Sequence, residues 1–159
     1  MTDVKDGWIL ILDDDPLVTE SLGALLKEES PWNVAVFNRP TEALKSLERR
    51  VFQVVVSDFL MPEMDGIGFL KEVRRVQPSA SRVLLTGYAD KQNAIRSINE
   101  VGLYHYIEKP WDTDSLLLIL RNAQERARMI EELDSRMERL VERDKSLEEL
   151  RSRLLKAIL

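Results

Sequence analysis

The sequence predicts an α/β domain with a doubly wound, five-stranded parallel sheet, and three observations carry that expectation. Short apolar runs alternate five times with stretches whose apolar residues recur every three or four positions, the pattern of strands feeding crossover helices. Val54-Val55-Val56 is apolar without interruption, as a buried strand would be, and stops at Ser57-Asp58 before a loop containing Pro62 and Gly66. Each later run likewise stops at a polar residue. Helices on both faces with right-handed crossovers follow from the alternation.

Taken in order, Trp8-Ile9-Leu10-Ile11-Leu12 is a strand that ends in Asp13-Asp14-Asp15-Pro16. Leu17, Val18, Leu22, Leu25 and Leu26 then recur at helical spacing, with Pro16 suited to the first helical position and Asp15 to the N-cap before it. Asn33-Val34-Ala35-Val36-Phe37 is a second strand, and Pro40, Ala43, Leu44 and Leu47 mark a second helix. After the Asp58 strand, Ile67, Phe69, Leu70, Val73 and Val76 mark a helix ended by Pro78. Arg82-Val83-Leu84-Leu85-Thr86-Gly87 is the fourth strand. Ala94, Ile95, Ile98 and Val101 predict one helix stopped by Gly102, and Leu103-Tyr104-His105-Tyr106-Ile107 is the fifth strand, ending at Glu108-Lys109-Pro110. Asp13/Asp14, Asp58, Thr86 and Lys109 therefore gather at the carboxyl edge of the sheet, where open α/β sheets bind ligands.

Composition excludes several classes. With no cysteine and a single histidine, His105, the chain offers neither a disulfide framework, a thiolate metal site nor a multi-histidine centre. His105 lies in an apolar strand-like run, which makes a Ser-His-Asp triad a poor reading and a partly exposed strand residue the better one. A net charge of −5 argues against a general nucleic-acid surface, and no direct nucleic-acid binding by this segment is expected. No apolar run approaches the roughly 20 residues that cross a bilayer, and the N-terminus lacks a signal-peptide core, so the expectation is a cytoplasmic protein without membrane contact.

The gathered residues suggest a chemistry. Asp13 and Asp14 at one strand end repel unless a cation or a lysine stands between them, and with Asp58 they form an oxygen site suited to Mg²⁺, with Mn²⁺ as a second choice. Such a metal commonly serves phosphoryl transfer, with an ammonium and a hydroxyl holding the remaining oxygens. Lys109 and Thr86 are of those types. Asp58 is placed to be the nucleophile, forming an acyl phosphate.

These segments, namely Ile11-Leu12-Asp13-Asp14-Asp15, Ser57-Asp58-Phe59-Leu60-Met61-Pro62-Glu63-Met64-Asp65-Gly66, Leu84-Leu85-Thr86-Gly87 and Tyr106-Ile107-Glu108-Lys109-Pro110, resemble the receiver domain of two-component response regulators, over about residues 8 to 125. The resemblance implies a flavodoxin-like receiver fold for residues 1–125. It implies that Asp58 is the phosphoacceptor, served by a sensor histidine kinase or a phosphotransfer protein. It also implies that Asp13, Asp14, Asp58 and the Leu60 carbonyl hold Mg²⁺, and that Thr86 and Lys109 hold phosphoryl oxygens. Thr86 with Tyr106 matches the family's switch pair, and Lys109-Pro110 matches a bond usually cis in the family. Such a domain is not a turnover enzyme; it assists only its own phosphorylation and dephosphorylation. Leu60 and Tyr88 depart from the family's commoner polar choices and would crowd water's approach, which predicts a long-lived phosphorylated state.

Beyond the receiver, Asp112-Thr113-Asp114 suits a helix start, and Leu116, Ile119 and Ala123 lead at steps of three and four into Ile130, Leu133, Met137, Leu140, Leu147 and Leu154. No glycine or proline interrupts residues 112 to 159, which predicts one helix running into a coiled coil over 126–159, with residues 126 to 158 spanning about 50 Å. The seam weakens at Asp144 and Arg151, where two registers compete. Pairing into a parallel homodimer, with Arg143 facing Glu148 of a second copy, would cover the stripe; folding back on the receiver is the alternative. The expected output is a change in receiver pairing that alters the coil and an effector domain beyond Leu159, of cyclic-dinucleotide or transcriptional type. Two other function classes compete, a phosphorylation-independent dimeric scaffold and a metal-dependent aspartyl phosphatase, the latter lacking any insertion large enough for a substrate cap.

Overall fold

The five apolar runs become five strands in the computed structural model of the chain, which describes residues 7–29, 32–143 and 146–159 and only the backbone of Tyr88 and Ser146. The order is β1 (Trp8–Leu12), α1 (Pro16–Glu29), β2 (Asn33–Phe37), α2 (Pro40–Leu47), β3 (Val54–Asp58), α3 (Gly66–Val76), β4 (Ser81–Thr86), α4 (Lys91–Arg96), α5 (Ile98–Val101), β5 (His105–Glu108), α6 (Thr113–Val141) and α7 (Ser146–Ile158). All strand neighbours are parallel, in the order β2-β1-β3-β4-β5. Parallel neighbours cannot be joined by a tight turn, so helices fill every connection.

Both sheet faces are covered, which is why the strands carry unbroken apolar runs. On one face Leu10, Leu12, Val55 and Leu84 pack with Ala43 of α2, with Phe69, Leu70 and Val73 of α3, and with Val101 of α5. On the other, Ile9, Ile11, Val54, Val56, Val83 and Leu85 meet α1 through Leu22 and Leu26 and α6 through Leu116, Leu120 and Ala123. Each of the buried Leu, Ile, Val and Phe side chains contributes about 1.5–3 kcal/mol relative to exposure.

Local chemistry sets the helix ends. Asp15 Oδ1 accepts from the Leu17 N–H at 3.0 Å, capping α1 in front of Pro16. Asp65 caps α3 through the Gly68 N–H at 2.7 Å, and Asp112 caps α6 through the Ser115 N–H at 3.0 Å. Gly102 closes α5 at φ 61°, a left-handed conformation that glycine adopts without cost.

Three sequence expectations are corrected. The single helix over Ala94–Val101 is two short ones, preceded by a turn at Tyr88–Asp90, because Ser97 tightens the chain between them. Its N–H bonds the Ala94 carbonyl at 3.1 Å and its hydroxyl bonds the Asn93 carbonyl at 2.9 Å. The fifth strand starts at His105 rather than Leu103, whose N–H goes to the Ile98 carbonyl at 3.0 Å and closes the helix before it. The third correction concerns the tail. A long helix is present, but it stops at Val141, and α7 folds back along it instead of continuing the line.

Glu142-Arg143-Asp144-Lys145-Ser146 has no apolar side chain, so nothing there rewards a straight helix with burial, while folding back pairs Arg151 with Asp134 and Glu138. Asp144, where the seam was expected to weaken, lies outside the described residues, as do the N-terminal residues 1–6 and the Tyr88 side chain.

Candidate functional site

Register assembles the site. Leu12 pairs with Ser57, so Asp13 and Asp58 are the next residues along two adjacent strands. Asp58 in turn pairs with Leu85, and Thr86 with Glu108, so Thr86 and Lys109 each stand one step further along the same edge. The site lies where the strand order reverses between β1 and β3, the usual ligand position in such sheets.

The Lys109 ammonium donates to Asp13 Oδ2 at 2.8 Å and to Asp58 Oδ1 at 3.1 Å. Asp13 is buried and Asp58 nearly so, at 9% exposure, while Asp14 is exposed. One carboxylate oxygen from each of the three lies within 4.8 Å of the others. Three carboxylates against one ammonium leave a formal surplus of two negative charges, and every donor is a hard oxygen. That set fits a divalent cation such as Mg²⁺.

Burial pushes the Asp58 carboxyl up to about 6, and the neighbouring Asp13 charge adds to the rise; hydrogen bonding and attraction from Lys109 and a backbone hydrogen bond from Phe59 oppose it. Burial alone would lower the Lys109 ammonium, but its bonds to Asp13 and Asp58 prevail and hold it above its ordinary value. The pair is thus a cation held against a carboxylate that is mostly ionised at neutral pH.

Direct contacts unite Asp13, Asp58 and Lys109, and Asp14 joins them by proximity; Thr86 and Tyr106 are placed by register. Thr86 is buried, its hydroxyl donating to the Gly87 carbonyl at 3.2 Å. Tyr106 is half-buried against the α2/α3 core. Leu60 is exposed in the loop after β3, and Lys109-Pro110 is cis. Of the tail residues, Ile130 is buried within the chain, Met137 and Leu147 are half-buried, and Leu133, Leu140 and Leu154 are exposed.

Two supports were missed in the sequence. Asn38 Nδ2 donates to the Asp13 carbonyl at 3.0 Å and to Thr19 Oγ1 at 2.9 Å, fixing the turn that carries the acidic pair. An Asn just after a strand was the available signal. Gly66 was read only as a turn residue. A Cβ there would stand 2.1 Å from the Asp58 carbonyl oxygen, so the backbone carrying Asp58 requires glycine opposite it.

Comparison with known proteins agrees with this arrangement. Residues 9–121 match the response regulator receiver domain family. The hydrogenase transcriptional regulatory protein HoxA of Bradyrhizobium diazoefficiens is 33% identical over 129 residues, covering 81% of this chain and 26% of that protein. The transcriptional regulatory protein ZraR of Escherichia coli K12 is 36% identical over 115 residues, covering 72% of this chain and 26% of that protein. This chain spans about a quarter of the length of these relatives. The signal receiver domain of an HD domain-containing protein from Pseudomonas fluorescens Pf-5 superposes with a TM-score of 0.77 at 34% identity, covering 83% of this chain and 96% of that one. With the motif residues in register on one sheet edge and the family match spanning the whole sheet, the chain belongs to the response regulator receiver domain family.

Proposed function

We propose that this receiver accepts a phosphoryl group on Asp58 from a sensor histidine kinase or a phosphotransfer protein and passes the change through Thr86, Tyr106 and α6 to a paired tail and a downstream effector. The observation that carries the reading is the Lys109 ammonium bonded to both Asp13 and Asp58 while Asp14 stands within reach. Asp13, Asp14 and Asp58, with the Leu60 carbonyl, would hold Mg²⁺. When bound, the ion offsets charge on the phosphoryl oxygens.

The chain's own residues do the rest. The Asp58 carboxylate, mostly ionised at neutral pH, attacks phosphorus, and the bond from phosphorus to the donor's leaving atom breaks as the new O–P bond forms. Lys109 is close enough to follow the incoming charge, exchanging part of its bond to the carboxylate for one to a phosphoryl oxygen. Thr86 gives up its bond to the Gly87 carbonyl to donate to the same group, which frees space for the half-buried Tyr106 ring. The domain is then a switch rather than a turnover catalyst. The relatives HoxA and ZraR are named as transcriptional regulators, which favours a transcriptional effector.

Intact mass after incubation with Mg²⁺ and a small-molecule phosphodonor tests this. One added phosphoryl group is expected, absent in Asp58→Asn and absent without the metal. No adduct from any donor would overturn the reading and leave a phosphorylation-independent scaffold.

A further inference from the structure

The helical hairpin and the heptad repeat make opposite demands on the same residues. In the hairpin the Arg151 guanidinium donates to Asp134 Oδ1 at 2.6 and 2.9 Å and to Glu138 Oε1 at 2.8 Å. Arg126 donates to the Ile158 carbonyl at 3.0 Å, satisfying one of the carbonyls that the end of α7 leaves without a helical partner. These contacts serve the polar sides of α6 and α7 well and their apolar sides badly. Leu133, Leu140, Leu150 and Leu154 remain 38%, 53%, 48% and 40% exposed.

In an uninterrupted helix the preference inverts. Steps of three and four run from Ile130, Leu133, Met137 and Leu140 through Asp144 to Leu147, Arg151, Leu154 and Ile158. A second copy laid along that stripe would cover Leu133, Leu140 and Leu154. Arg151, however, would then stand in the apolar seam, roughly 25 Å along the axis from Asp134 and parted from both carboxylates. One arrangement satisfies the arginine and strands the leucines; the other does the reverse.

We propose that α7 is an autoinhibitory cover. Folded back, it lies along the Arg126, Asp134 and Glu138 row of α6, which also carries the buried Ile130 of the stripe, and by standing beside that stripe keeps a second copy off and the chain monomeric; aligned with α6, it lets two copies pair, and Arg151 sets the balance. The inference rests on the reading that the tail pairs two copies, and adds that this pairing competes with a second fold of the same segment. Because only one of the two states is dimeric, concentration shifts the balance by mass action.

The absence of cysteine makes the test direct. Ser135→Cys with Ser152→Cys puts one spin label on each arm of the hairpin at exposed positions, close together when α7 is folded back and roughly 25 Å apart on a continuous helix. Labelled chain diluted into unlabelled chain reports only the distance within a copy, and sedimentation velocity gives the mass of the same samples. Wild type at low concentration is expected to be a monomer with the short distance. Arg151→Leu is expected to dimerise with the long distance and a dissociation constant lower by about tenfold or more. Asp134→Asn with Glu138→Gln loosens the hairpin without improving the seam and should shift the same way by a smaller factor. A dimer that keeps the short distance would overturn the cover while leaving pairing through the tail intact. A long distance in a monomer would overturn it as well, and a chain that stays monomeric in every form at every concentration would overturn both the cover and the pairing.

Discussion

Lys109 Nζ lies 3.1 Å from Asp58 Oδ1, tying the end of β5 to the end of β3 by charge across the intervening strand β4. The same ammonium serves Asp13 at 2.8 Å, so it occupies the space between two carboxylates that a divalent cation would also seek. Lys109→Met should therefore have two effects of opposite sign. Mg²⁺ affinity should rise several-fold, because a competing cation has gone, while the phosphorylation rate falls by about 100-fold, because a donor to the transferring group has gone. Calorimetric titration with Mg²⁺ and timed intact-mass measurements separate the two. A weaker affinity for Mg²⁺ in the variant would show that the ammonium orients the carboxylates rather than competing for them.

The raised Asp58 carboxyl makes a pH prediction in the metal-free protein. Its folded value, about 6, exceeds the unfolded 3.8, so the native state holds the proton more tightly. The stability this adds is fully present below the unfolded value and is lost as pH climbs through 6. The loss between pH 4 and pH 7 should be about 1–2 kcal/mol, discounted because water still reaches part of the carboxylate. Asp58→Asn should flatten this dependence and be the more stable form at pH 7, read from urea midpoints at each pH. An unchanged slope in the variant would assign the dependence to other carboxylates.

The strands and the site were legible in the sequence for the same physical reason. A parallel strand buried on both faces is an uninterrupted apolar run, so the inner strands Trp8–Leu12 and Val54–Asp58 stood out in the sequence, and the polar residues that ended the runs were those of the carboxyl edge. What was not legible depended on individual polar contacts, local at Ser97 and longer-range at Arg151, that apolar periodicity does not encode. The division at Ser97 is made by one hydroxyl and one tightened turn, and the reversal before α7 by partners 13 and 17 residues from Arg151. Periodicity reports which residues want cover, not what supplies it. Leu140 and Leu154 stand at heptad spacing whether a second copy or the chain's own return covers that stripe.

Gly66 should tolerate no side chain. Its missing Cβ would meet the Asp58 carbonyl oxygen at 2.1 Å and its carbon at 3.0 Å, and neither belongs to a side chain that could swing aside. Gly66→Ala is expected to cost about 2–4 kcal/mol and to slow phosphorylation by shifting the end of β3. Gly68→Ala is the control, since its Cβ would face the flexible Met64 side chain at 3.3 Å. Equal thermal midpoints for the two variants would refute the steric argument.

Arg82 is wholly buried at the foot of β4, and among the described residues it is held by carbonyls alone. Its guanidinium donates to Val101 at 2.8 Å, to Pro78 and Ala80 at 3.0 Å each, to Gly102 at 3.3 Å and to Leu159 at 3.5 Å, which joins the loops before β4 and β5 to the end of the tail. Burial, with Arg74 and Arg126 nearby, pushes it down to about 10, still far enough above neutrality to stay charged. Arg82→Ala leaves those carbonyls unpaired and a cavity beside them, and should cost about 3–5 kcal/mol. Arg82→Lys should recover less than half of that, because a single ammonium cannot reach all five of the main-chain oxygens that the guanidinium fork serves. Denaturant midpoints of the two variants check the prediction, and near-complete recovery by lysine would mean that charge, rather than the planar fork of donors, is what the foot of β4 requires.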